Sequence, residues 1–206
     1  MGQNQVMICD GVSEAVLEYV QRTQVALGVC AVEDYVAQVS AIWSCIRSFP
    51  RFTNDIDASA CATAMYRIAA GFFSAHRHPQ RLHPSSHPTM RRTHINNVLG
   101  FTRAELGCPQ LKLETLASRM RLSLGYLSRA LAAETAYPFR THVNGMRLLA
   151  AVLRFHDPSL TIGCIAREVG YVSTGELDRQ FDRCFGLSPR RFAALIRDIP
   201  EDRLAP

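Results

Sequence analysis

Two arginines about fifty residues apart, Arg129 and Arg179, occupy the same place in two similar stretches of this chain. A guanidinium carries five N–H donors in one rigid plane, which suits bidentate contact with a phosphate or with the O6/N7 edge of guanine. The stretches are LETLASRMRLSLGYLSRAL (113–131) and TIGCIAREVGYVSTGELDRQF (161–181). In each, a small residue (Ala117 or Ala166) precedes a tight turn, and a serine (Ser123 or Ser173) then opens a second apolar-periodic run. Leu127 and Leu177 follow four residues after the serines, with the arginines two further on. A small residue that lets two short helices approach, followed by a turn that sets their crossing, is the layout of a helix-turn-helix. Ser173-Thr-Gly-Glu176 also has the spacing of a capping box, in which Ser173 and Glu176 satisfy exposed amides reciprocally.

Other side chains with chemistry to offer are less well arranged. The seven cysteines, at 9, 30, 45, 61, 108, 164 and 184, include no CxxC pair. An odd count at irregular spacing fits neither a disulfide framework nor a zinc finger, and reads mainly as small buried apolar residues. A thiol switch through Cys9, Cys30, Cys45 or Cys61 is an alternative. His76, His78, His83, His87 and His94 cluster with no carboxylate or thiol beside them; binding a transition metal is open to them. No Ser-His-Asp set, phosphate loop or carboxylate pair is visible, so no enzyme and no cofactor are expected. A DNA-repair methyl acceptor would need a zinc cluster of four cysteines, which the N-terminal cysteines do not form.

Composition agrees with a polyanionic partner. Net charge is +5, and of the 23 basic residues only Lys112 is a lysine. That bias suits phosphate and guanine, although a GC-rich genome would also produce it. Lys and Arg outnumber Asp and Glu 8 to 7 in residues 1–93 and 15 to 11 in 94–206. Apolar residues make up 48% and charged ones 20%, enough for a packed core. No apolar run approaches the roughly 20 residues of a membrane span, and MGQNQVMICDG has no secretory pattern, so a cytoplasmic location is expected.

The elements that must position the two arginines are all helical. Residues 12–28 carry Val12, Ala15, Val16, Tyr19 and Val20 on one helical face, with a stop expected at Gly28. A second run over 31–49 precedes Pro50, and a third begins near Asp57. The stretch 76–93 (HRHPQRLHPSSHPTMRRT), with three prolines, reads as a linker that excludes a long helix. Seven helices follow, from about His94, Leu113, Leu124, Pro138, Thr161, Ser173 and Ser188-Pro189. The expected architecture is all-α: a small helical domain (1–75), the linker (76–93) and a two-unit helix-turn-helix domain (94–206) with a long central helix.

The second unit resembles the AraC/XylS family of bacterial transcription regulators. Gly170-Tyr171, Ser173, Leu177, Arg179, Phe181, Phe185, Gly186 and Ser188-Pro189 stand at the family's signature offsets, and the resemblance covers about residues 94–197. It implies two subdomains joined by a helix over about 139–155, each laying a recognition helix in the major groove of double-stranded promoter DNA. Carried over position by position, the first recognition helix presents Gly125, Tyr126, Ser128 and Arg129. The second presents Thr174, Gly175, Asp178 and Arg179. Ser123, Ser173 and the Pro189 end with Arg190 and Arg191 would hold phosphates. Two features depart from the family. Arg121 stands where the first turn usually has glycine, and a regular turn is expected there; Gly125 replaces a larger side chain. Residues 1–75 do not resemble the family's β-rich sugar-binding domain. Trp43, Phe49, Phe52, Met65, Phe72 and Phe73 form either a core or the lining of an effector pocket. RNA polymerase and a second copy of the chain are the further partners considered. The competing function is that of an interaction protein acting through another transcription factor or RNA polymerase without reading DNA.

Overall fold

The computed structural model describes residues 12–30, 34–51, 54–74 and 89–200. These residues form helices α1 (Glu14–Cys30), α2 (Tyr35–Arg47), α3 (Asp55–Ser74), α4 (Met90–Ala104), α5 (Leu113–Arg119), α6 (Leu124–Thr135), α7 (Phe139–Arg154), α8 (Ile162–Glu168), α9 (Thr174–Phe185) and α10 (Pro189–Arg197). No strand occurs among them, in keeping with the all-α expectation.

Several boundaries differ from those read off the sequence, each for a local reason. α1 passes through Gly28 because Ala26 and Cys30, one turn apart, are both buried; packing outweighs the roughly 1 kcal/mol that glycine costs a helix interior. α2 starts at Tyr35 because the Asp34 carboxylate caps it, accepting from the Val36 and Ala37 amides. α4 starts four residues before His94. Thr89 caps it, and Arg92 in its first turn bonds Asp34 at 2.7 Å and Glu134 at 3.2 Å. The end of the expected linker is therefore helical. The proline-rich remainder and four of its histidines lie outside the described residues. Pro138 stands at the N-cap of α7 rather than inside its first turn.

The apolar faces meet in one continuous core. α1 and α2 pack with α3, which lies along α7 and touches α10; α2 also reaches α4 and α6. Trp43, Phe49, Met65 and Phe72 are buried in this core, Phe73 packs on its edge, and Phe52 lies outside the described residues. The Trp43 ring covers Gly145 of α7, where a Cβ would come within 2.5 Å of Cζ2. Phe49 stacks edge-on against Phe185 at 4.9 Å and Tyr19 at 5.5 Å, joining the N-terminal helices to the α9–α10 corner. Each such aromatic contact adds roughly 0.5–1.5 kcal/mol beyond the area it buries.

Within α7, Arg147 is almost wholly buried. Its Nε donates to the Leu106 carbonyl and its Nη2 to that of Cys108, while the guanidinium lies 5.6 Å from the Tyr171 ring centroid. One side chain thus ties the α4–α5 connection to the turn of the second unit. Burial pulls its pKa below the ordinary arginine value.

Candidate nucleic-acid interface

The two turns are built the same way. In the first, the Leu122 amide donates to the Ala117 carbonyl and the Arg121 amide to that of Ser118. In the second, Tyr171 donates to Ala166 and Gly170 to Arg167. Both are Schellman closures, which require a left-handed residue just past the helix end. Gly170 meets this with φ +92° and Arg121 with φ +55°. The regular turn expected at Arg121 is therefore corrected: the hydrogen-bond pattern that ends the helix dictates positive φ, and arginine carries the strain. Ala117 and Ala166 are buried where the paired helices cross, as their size predicts. The second turn holds one more residue, Val172, which is 75% exposed beside Ser173.

Past each turn a serine caps the next helix. Ser123 Oγ accepts from the Tyr126 amide at 3.2 Å, and Ser173 Oγ from the Glu176 amide at 3.3 Å. The expected reciprocal bond of Glu176 is shifted by one residue, its carboxylate accepting from Val172 rather than from Ser173. The extra residue of that turn brings the Val172 amide, not the cap's own, into reach. Leu127 and Leu177 point into the core and fix which face each helix turns outward.

On the outward face of α6 lie Gly125, Ser128 and Arg129, all exposed; on that of α9 lie Thr174, Gly175, Asp178 and Arg179, also exposed. The arginines share one geometry. A Cβ at Gly125 would sit 3.5 Å from Arg129 Nη1, and one at Gly175 would sit 3.8 Å from Arg179 Nη1. Each guanidinium lies back over a glycine one turn earlier, towards the capped end of its helix, as helical side chains lean. Gly125, where a larger side chain was expected, and Gly175 thereby leave room for the arginines. Sequence reading named both residue types without pairing them, although the shared i, i+4 spacing was there to find.

Tyr126 behaves differently from the rest of its set. It is partly buried, and its hydroxyl lies 3.1 Å from His94 Nδ1 of α4. Ser188 caps α10 by accepting from the Arg191 amide at 3.2 Å. Arg190 and Arg191 are exposed in its first turn, and Arg191 pairs with Asp55 of α3. Arg140 occupies the equivalent first-turn position of α7 and is also exposed; sequence reading overlooked it.

Among the described residues there is no cluster of three or more possible metal ligands and no helix long and apolar enough to cross a membrane. Burial holds the Cys30 and Cys45 thiols up at about 11 and raises Cys61 further, which keeps all three protonated and unreactive near neutrality. Hydrogen bonds to Thr161 and Arg167 lower the Cys164 thiol, at the start of α8.

Residues 116–194 match the model of a family described as a helix-turn-helix domain. Among solved structures, the chain is similar to the C-terminal domain of AraT, a response regulator from Geobacillus stearothermophilus. That likeness has 25% identity and a TM-score of 0.49, covering 52% of this chain and 88% of that one. A second is the C-terminal domain of the two-component response regulator yesN from Fusobacterium nucleatum subsp. nucleatum, with 22% identity and a TM-score of 0.44. It covers 50% of this chain and 96% of that one. No curated protein matches the sequence. With the family match spanning both turns, residues 116–194 are a helix-turn-helix domain, which supports a DNA-binding role in the regulation of transcription.

Proposed function

We propose that the chain reads promoter DNA with two helices at once, α6 and α9 entering successive major grooves on one face of the duplex. The observation that carries this reading is the repetition of one device. Two glycine–arginine pairs stand on serine-capped helices, held in a single core by α7 and Arg147. Recognition helices on one face of straight DNA lie about 34 Å apart, and a closer pair demands a bend.

Arg129 and Arg179 are assigned to guanine, each bidentate contact discriminating by about 1–3 kcal/mol. Gly125, Ser128, Thr174 and Gly175 line the groove-facing surfaces. Asp178 accepts from a cytosine amine or orients a neighbouring arginine. Ser123, Ser173 and the Ser188 end of α10, with Arg190 and Arg191, anchor phosphates. Tyr126 holds α6 against α4 through His94 and steadies the helix rather than reading a base. The N-terminal helices brace the two units through α3 against α7 and α10. The role is binding, not catalysis. One chain holds both units, so binding requires no second copy, and RNA polymerase is the partner on which regulation acts.

Replacing Arg179 with alanine tests the base-reading role. Affinity for a selected target should fall about tenfold or more (1–3 kcal/mol), while affinity for random duplex changes much less. An equal loss on every sequence would remove Arg179 from base recognition.

A further inference from the structure

Segment 47–51, from the last residue of α2 towards α3, lies outside the matched family domain, yet it runs past the starts of α7 and α10. Arg47 Nη1 donates to the hydroxyl of Tyr137, the residue before the N-cap of α7, at 2.8 Å. Phe49 anchors the segment by packing on Phe185 and Phe192 of the α9–α10 corner. Arg51 lies directly over Gly186, the residue that closes α9 with φ +65°, and a Cβ there would collide with its guanidinium. Arg47 and Arg51 are both exposed. The two helix starts they flank are equivalent positions of the repeat, each following a recognition helix and each presenting an exposed arginine in its first turn, Arg140 or Arg190. Arg47 also lines an open polar cleft of about 310 Å³ with Arg22, Ser40, Ser44, Ser48 and Tyr137. Opposite charges interrupt this arginine strip at Glu18, paired with Arg22 at 2.9 Å, and at Asp55, paired with Arg191.

We propose that Arg47 and Arg51 are further contacts to the DNA backbone, extending the phosphate contacts at the start of α10 towards the start of α7, where Arg140 is exposed. The inference rests on the two-groove reading above, since it needs the duplex to lie across both helix starts. Arginines held beside two such starts, one by a tyrosine hydroxyl and one against a glycine, meet the sugar–phosphate chain where it crosses between the grooves. They add affinity without sequence preference, because phosphates carry no base identity. The N-terminal helices would thus supply part of the binding surface as well as a brace.

The test is the salt dependence of binding by the full-length chain, measured on a selected target and on random-sequence duplex. Arg47→Gln with Arg51→Gln should make the slope of log K against log salt shallower by about 1.8, roughly 0.9 for each phosphate no longer neutralised. The weakening should be equal on both duplexes. Arg47→Lys with Arg51→Lys should restore most of the slope, which guards against a fault in folding. Arg154→Gln is the control: it removes a charge paired with Glu168 at the far end of α7 and should leave the slope unchanged. An unaltered slope in the double glutamine variant, or a weakening confined to the selected target, would overturn the inference while leaving the two-groove reading intact. Failure of the unaltered chain to bind any duplex would overturn that reading itself, and this inference with it.

Discussion

The seam between the N-terminal helices and the DNA-binding half rests on the chain's one tryptophan, and its removal has a computable effect. Trp43 is 7% exposed and lies flat on Gly145, so Trp43→Ala forfeits its transfer energy and opens a cavity, about 3–5 kcal/mol together. Gly145→Ala attacks the same packing from the other side. Its Cβ would meet Cζ2 at 2.5 Å, Cε2 at 3.0 Å and Cη2 at 3.1 Å, all atoms of a rigid ring that cannot bend away. Overpacking of that kind costs about 1–3 kcal/mol, against about 1 kcal/mol gained by placing alanine for glycine in a helix interior. The net effect in the unaltered chain is a loss of up to about 2 kcal/mol. In the Trp43→Ala background the clash is gone and only the helix gain remains, so the same substitution should stabilise by about 1 kcal/mol. Urea unfolding followed by far-ultraviolet circular dichroism measures all four species, since fluorescence vanishes with the indole. The expected sign change amounts to a coupling of about 1–3 kcal/mol. The same sign and size in both backgrounds would refute the packing of Trp43 on Gly145.

Buried and strained residues supply two more tests. His142 is fully buried with Nε2 2.8 Å from Thr135 Oγ1, and burial lowers its pKa from 6.5 to about 4. The unfolded chain therefore binds the proton more tightly, so this contribution is complete above pH 6.5 and is lost as pH falls towards 4, by about 3 kcal/mol. Denaturation midpoints across that window should steepen towards acid in the unaltered chain and flatten in His142→Gln; matching profiles would place the imidazole in water. At the paired turns, Arg121→Gly should stabilise by about 1 kcal/mol by relieving a left-handed arginine. Gly170→Ala should destabilise by about 2–5 kcal/mol, because its Cβ adds strain and also meets the Leu106 carbonyl and Arg147. Equal effects of the two substitutions in chemical denaturation would contradict the shared turn geometry.

What the sequence disclosed here follows from how local each signal is. Serine caps, leucine periodicity and the small residues at 117 and 166 act within one or two turns of chain, and all were legible. So were the exposed positions of Arg129 and Arg179, because Leu127 and Leu177 fix the opposite face. Boundaries failed where tertiary contacts intervened. Packing carries α1 through Gly28, and ion pairs of Arg92 with Asp34 and Glu134 extend α4 into the expected linker. Arg121 was misjudged because residue type argues against positive φ, whereas the Schellman closure demands it. Arg147, Arg47 and Arg51 were invisible as functional residues. Nothing in the local pattern separates an arginine that ties two units together, or one lodged against Gly186, from one on a solvated helix face. Their meaning arises from contacts across 39 to 41 residues for Arg147 and across 90 for Arg47.

The central claim, that two helices of one chain read DNA together, is tested most directly by selecting bound sequences from a random duplex library. The unaltered chain and its Arg129→Ala and Arg179→Ala variants would be selected in parallel at near-physiological salt. The account predicts a bipartite site with centres about one helical turn apart, about 34 Å. Arg129→Ala should relax one half and Arg179→Ala the other. A single uninterrupted motif relaxed by only one of the variants, or no enrichment by the unaltered chain, would contradict it.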